Sequence, residues 1–288
     1  MIFFPFRYVW WLLSSLLRSF GKAPDYVIFV LDANLPTLPD PPGAFWQRFI
    51  SQPRLSVKEL GERFDTIGRD PRIRGVVLHL RPVPMPMATL QDLRELIARL
   101  RSSGKRVIAW APFYTTGTYY LASACDEILL MPSGLISPLG FASTGVFLAD
   151  ALARVGIKAD FIQVSPYKSA ADPLTKSRMS PEVRQQLTWL LDSNHEELVA
   201  AVAQSRHIDL GAAATLIDSS PYSDDVALAQ HVVDGLLPEE ELPSRLSPAG
   251  EPARIATWDQ ARRRLRVRPP STGRGRYVAI MRVEGTII

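Results

Sequence analysis

The stretch GVVLHLRPVPMPMATLQDLRELIARLRSSGKRVIAWA, residues 75–111, decides the fold. Its first six residues, Gly75 to Leu80, are a short apolar run of the kind a strand buried on both faces shows. From Thr89 to Leu100 the period changes, and Leu90, Leu93, Ile97 and Leu100 fall on one helical face. Gly104 ends that helix, and Arg106 to Ala111 (RVIAWA) returns to the buried-strand pattern.

The same alternation continues on both sides. Tyr26 to Leu31 (YVIFVL) reads as a strand, and Asn34 to Gly43, with Pro36, Pro39, Pro41 and Pro42, as a loop. Ser56 to Ile67 reads as a helix, with Ser56 as its cap, Glu59 completing a capping box, and Val57, Leu60, Phe64 and Ile67 on one stripe. Downstream, the expectations are a helix over Gly117 to Cys125, a short strand over Glu127 to Met131, a helix over Phe147 to Val155 and a fifth strand over Ala159 to Val164. A long helix over Ser180 to Gln204, opened by Ser180-Pro181-Glu182, and shorter ones over Asp209 to Ile217 and Ser223 to His231 complete the reading. Strands alternating with helices in this order imply an α/β fold with a mostly parallel sheet. In such folds function sits in loops beyond the strand ends.

Composition is that of a globular protein: 288 residues, 47% hydrophobic, 22% charged, net charge +4. The lone Cys125 forms no internal disulfide and reads as a small core residue. Eight arginines crowd Arg254 to Arg276, yet no recognition motif accompanies them, so a solvated linker or one near anionic lipid is the better reading than a nucleic-acid patch. The N-terminus, MIFFPFRYVWWLLSSLLRSF, is aromatic and apolar, but Arg7 interrupts it, and a span needs about 20 apolar residues. Membrane association is expected, either as an interfacial helix with Trp10 and Trp11 at headgroup level and Arg7, Arg18 and Lys22 on the polar side, or as a short anchor. Near the other end, Tyr277 to Val283 (YVAIMRV) repeats the pattern of Tyr26 to Asp32 (YVIFVLD). The domains expected are therefore a membrane-associated segment over 1–24, a main domain over 25–250, a basic linker over 251–276, and over 277–288 the first strand of a second domain.

The chemistry concentrates in Val164 to Pro173, VSPYKSAADP. Lys168 follows an apolar run and is flanked by small residues. Dehydration there would favour the neutral amine and make it a base, whereas a solvated loop lysine would be inert. The histidines, His79, His195, His207 and His231, show no ligand spacing, and no cofactor or metal is expected.

The segment Tyr167-Lys168-Ser169-Ala170, the later Met179-Ser180-Pro181, Thr116-Gly117-Thr118-Tyr119-Tyr120, Pro132-Ser133-Gly134 with Gly140, and Gly104-Lys105-Arg106-Val107 together resemble the signal peptide peptidase family (SppA, protease IV), in the N-terminal half of its long tandem form. The resemblance implies a ClpP/crotonase-like fold, a bacterial inner-membrane protein with its catalytic domain on the extracytoplasmic side, a homo-oligomer, and signal peptides as substrates. It also implies a serine–lysine dyad, with Lys168 as the catalytic base taking the proton from a serine hydroxyl. Two positions depart from the family. Thr116 stands where the short form carries its nucleophile, and Arg81-Pro82-Val83-Pro84-Met85-Pro86 replaces a glycine-rich turn, removing N–H donors that an oxyanion hole would use. Both fit a half that donates only the base, the serine lying beyond Ile288. They also fit a non-catalytic, membrane-associated scaffold of the same family. A crotonase-type thioester enzyme is favoured by fold analogy alone.

Overall fold

The computed structural model describes residues 8, 21–39, 54–162, 164–165, 167–247 and 250–266. The expected membrane-associated segment lies almost wholly outside the described residues, as does the repeat over 277–288.

Four parallel strands form the centre of the sheet: β1 (Tyr26–Leu31), β2 (Gly75–Leu80), β3 (Arg106–Thr115) and β4 (Glu127–Ser137). The helices between them are α1 (Val57–Arg69), α2 (Met87–Ser102) and α3 (Thr116–Ala122). Ser56 caps α1 and Glu59 closes the capping box. The proline-rich loop also serves this helix, because its Pro36 and Thr37 carbonyls accept from the N–H groups of Val57 and Lys58. Beside β4 lie β5 (Tyr222–Ser223), antiparallel to it, and β6 (Gly235–Leu236), parallel to it. The resulting fold is mixed α/β, with a mostly parallel sheet flanked by helices.

The sheet buries both faces. Val76, Leu78, Val107, Ala109 and Ile128 point into a core with Leu60, Phe64, Leu93 and Ile97 of α1 and α2. Val77, Ile108, Trp110 and Leu129 point the other way, onto Leu242 and Leu246 of the C-terminal segment. Strands so enclosed are apolar without alternation, which is the pattern Gly75–Leu80 carries. At the foot of the sheet, the buried Lys105 donates to the carbonyls of Asp70 and Ile73 at 2.7 and 2.6 Å. This ties the α1–β2 turn to the start of β3, and burial lowers the pKa of that ammonium.

Three expectations change. First, β3 and β4 run on to Thr115 and Ser137, because a bulge absorbs extra residues in β4: Ala111 pairs with Leu130, but Phe113 pairs with Leu135. Ser133 there has φ 63°, and a Cβ on Gly134 would sit 2.7 Å from the Met131 and Pro112 carbonyl oxygens. Second, residues 159–162 form no strand and Ile162 is 100% exposed. The outer edge of β4, where such a strand would pair, is taken by β5 and β6. Third, the basic stretch is not wholly a solvated linker. Ile255–Thr257 pair with β1 as strand β7, Trp258 stacks on Phe29 with ring centroids 6.1 Å apart, and Ala261 and Leu265 are buried.

Candidate active site

At the head of the sheet, β2 runs into Arg81–Pro86 and β3 into the N-terminus of α3. Pro82, Pro84 and Pro86 have no N–H, and the N–H of Val83 donates to the Arg81 carbonyl at 2.8 Å. The turn therefore keeps few donors for a developing oxyanion. Thr115 caps α3 through a capping box with Thr118. Thr116, the first residue of that helix, donates its hydroxyl to the Gly140 carbonyl at 3.1 Å. That hydroxyl is engaged with backbone, and no general base stands in the contact.

The tyrosines after it are structural. Tyr119 is fully buried and donates to the Val232 carbonyl at 2.9 Å. Tyr120 donates to Glu197 Oε1 at 2.8 Å, with the Arg94 guanidinium 4.4 Å over its ring. Burial first, and then the Glu197 hydrogen bond, push its hydroxyl well above the usual phenol range, so it stays protonated. Through this hydrogen bond Glu197 anchors the long helix Pro181–Arg206 to α3. Cys125 packs against the core, and burial pushes its thiol up to about 12, as expected of a core residue rather than a nucleophile. His79 is buried with Nδ1 3.3 Å from Glu239 Oε1; burial lowers its pKa, with Glu239 opposing.

Lys168 lies in an arm that leaves this core. The arm contains α4 (Ala149–Arg154), the loop bearing Lys168, α5 (Asp172–Thr175) and the first two-thirds of α6 (Pro181–Arg206). Only the end of α6 reaches the core, through Leu198, Val199, Ala201, Val202 and Ala203. Lys168 is exposed, and its N–H donates to the Ser165 carbonyl at 3.0 Å. The dehydrating apolar run expected before it is itself turned outward, with Val164 87% exposed.

Two residues that sequence reasoning passed over hold this loop. Asp172 is 2% exposed and accepts at Oδ2 from Lys176 Nζ at 2.8 Å and Ser180 Oγ at 3.2 Å. Ser180, read as a helix cap, accepts from Val183 N–H at 3.4 Å while giving its own proton to Asp172. The i,i+4 spacing of Asp172 and Lys176 was the visible signal. The burial was not visible.

The chain is 30% identical over 151 residues to the chloroplastic serine protease SPPA of Arabidopsis thaliana, covering 52% of this chain and 22% of that one. It is 27% identical over 233 residues to Protease 4 of Haemophilus influenzae, covering 76% and 38%. It thus spans well under half the length of these curated relatives. Among solved structures, a 1510-N membrane-bound stomatin-specific protease matches with TM-score 0.45 at 12% identity, covering 82% of this chain and 98% of that one. An enoyl-CoA hydratase from Polaromonas sp. JS666 matches with TM-score 0.38 at 13% identity, covering 78% and 72%. The family model for peptidase family S49 matches residues 99–249, more than half of the chain and the whole region from the end of α2 past Lys168, Asp172 and α6, so the chain belongs to peptidase family S49.

Proposed function

We propose that this chain supplies the general base, Lys168, of a serine–lysine endopeptidase that degrades signal peptides at a membrane. The observation that carries the reading is the family match over 99–249, which includes Lys168 in its Tyr-Lys-Ser-Ala setting. The nucleophilic serine lies in sequence outside this chain. Three features support that part: the Thr116 hydroxyl is committed to Gly140, the Arg81–Pro86 turn is poor in donors, and the matched relatives are far longer than this chain.

In the reaction, the neutral lysine amine takes the proton of the serine hydroxyl as the oxygen attacks the peptide carbonyl. The resulting ammonium returns the proton to the leaving amine. A neutral lysine needs a dry surrounding. In this chain Lys168 is exposed, so the dehydrating wall comes from whatever packs on the arm. The apolar residues turned outward there, Ile162, Val164 and Trp189 among them, are suited to that contact. A second half of the protein and neighbouring copies in a homo-oligomer would form it, with an extended signal peptide in the groove between. The aromatic N-terminal sequence supports attachment to a bacterial inner membrane, with the catalytic domain on its extracytoplasmic side. Among the described residues no helix is long and apolar enough to cross a membrane.

The test is peptidase activity on a fluorogenic signal peptide, with the whole gene product against residues 1–288 alone. Activity is expected only in the whole product, and it should fall by at least about a thousandfold in Lys168→Ala. Turnover surviving Lys168→Ala would remove Lys168 as the base. The Thr116 and proline-turn departures equally favour a non-catalytic scaffold of the same family. A whole product that is folded, membrane-bound and inert would establish that reading instead.

A further inference from the structure

Among the described residues from 141 to 197, Asp172 and Ser180 alone are buried, and they are hydrogen-bonded to each other at 3.2 Å. The arm is rich in apolar side chains, yet it turns them outward: Ile162 is 100%, Val164 87% and Trp189 78% exposed. What it encloses instead is a carboxylate. Burying a carboxylate costs several kcal/mol unless it is paired and hydrogen-bonded, and an apolar side chain there would stabilise the arm at least as well. Stability alone therefore does not require a carboxylate at this position. The Asp172 Oδ1 is buried with no hydrogen-bond partner among the described residues, which increases that cost.

The hydrogen bonds show what Asp172 orders. Lys168 N–H donates to the Ser165 carbonyl, and Asp172 N–H donates to the Ser169 carbonyl, both at 3.0 Å. Two successive turns thus meet at Lys168–Ser169. The second turn ends on Asp172, whose carboxylate accepts from Ser180, the cap of α6. Lys176, one turn further along, donates to the same oxygen, Oδ2, at 2.8 Å, and the neighbouring Pro173 carbonyl accepts from Leu148 N–H at the start of α4. Helix α6 has 26 residues, about 39 Å of rigid rod, and its far end is packed in the core. A continuous path therefore runs from the core along α6, through Ser180 and Asp172, to the Lys168 loop.

We propose that Asp172 is a positioning residue for Lys168, its buried carboxylate using Ser180 and Lys176 to fix the turn from which the lysine amine meets its serine. The proposal rests on the reading of Lys168 as the base. A displacement near 1 Å at a reacting group can cost about 100-fold in rate. Asp172→Asn, nearly isosteric, should therefore lower kcat about 10–100-fold with KM changed less than about twofold.

The experiment uses the whole gene product and a fluorogenic signal peptide, with rates divided by the folded fraction from circular dichroism. Unsubstituted protein, Lys168→Ala, Asp172→Asn, Asp172→Glu and Ser180→Ala are compared. Beyond the fall in kcat, Asp172→Asn should move the acidic limb of the pH–kcat profile, which reports the base. Asp172→Glu should recover part of the rate, and Ser180→Ala should show a smaller loss of the same kind. A purely structural role would lower the folded fraction and leave the pH profile where it is. If Asp172→Asn does not fold, Ser180→Ala reads the same hydrogen bond. An unchanged kcat and pH profile in the folded variants, with Lys168→Ala inactive, overturns the positioning role alone. Turnover surviving in Lys168→Ala, or absent from the unsubstituted protein, overturns the base assignment and the positioning role with it.

Discussion

The sheet core and the arm that bears Lys168 are built on opposite principles. Around β1–β4, apolar side chains of α1 and α2 close over one face and Leu242 and Leu246 over the other, and the buried Lys105 ammonium meets two carbonyls. In the arm the apolar side chains face outward and the buried pair is Asp172 with Ser180. A core gains stability from area removed from water. The arm removes little, so its conformation rests on hydrogen bonds, helix caps and the anchorage of α6. This difference separates a scaffold that folds by burial from an arm held by hydrogen bonds and caps.

The largest expected effect on stability lies on the core side. Phe64→Ala removes a buried ring that packs edge-on against Phe29 at 5.4 Å, and should cost about 3–5 kcal/mol in urea unfolding. A loss below 1 kcal/mol would mean that burial does not hold the scaffold. Next comes Asp70, fully buried at the foot of the sheet. Burial raises its pKa, but hydrogen bonds from Arg72 and from the Arg266 N–H outweigh that and hold the carboxyl at about 2, against an ordinary 3.8. Because the folded value is the lower, the stabilisation is complete above the ordinary range and is lost as pH falls toward 2. Asp70→Asn should cost about 2 kcal/mol at pH 7 and flatten the stability profile between pH 4 and about 2. An unchanged profile would show that the ion pair contributes nothing. The smallest effect belongs to the arm. Trp189→Ser should leave unfolding within about 0.5 kcal/mol of the unsubstituted protein, because the ring touches mostly solvent. A loss above 1 kcal/mol would erase the contrast between the two regions.

Much of the core was legible because its signals are local. Gly75–Leu80 is the strand its apolar run announces, and Ser56 with Glu59 forms the capping box its spacing predicts. The extensions of β3 and β4 were not legible, since the bulge at Pro132–Gly134 looks like a turn until the partner strand is present. The apolar run over 159–162 misled for a related reason. Period and composition describe a strand's preferences, but pairing needs a free edge, and β5 and β6 occupy it. The stretch after Arg254 read as a linker because charge dominates its composition, whereas three residues, Ile255–Thr257, suffice to join β1.

From sequence alone came the alternation of strand and helix, the caps and the Lys168 motif, because backbone preferences and short-range hydrogen bonds depend on neighbours along the chain. Tertiary structure alone decided which side chains lie inside. Burial depends on what packs from elsewhere in the chain, so it sent Thr116 to the Gly140 carbonyl, Glu197 to Tyr120, and the acidic residue after Lys168 into the interior of the arm.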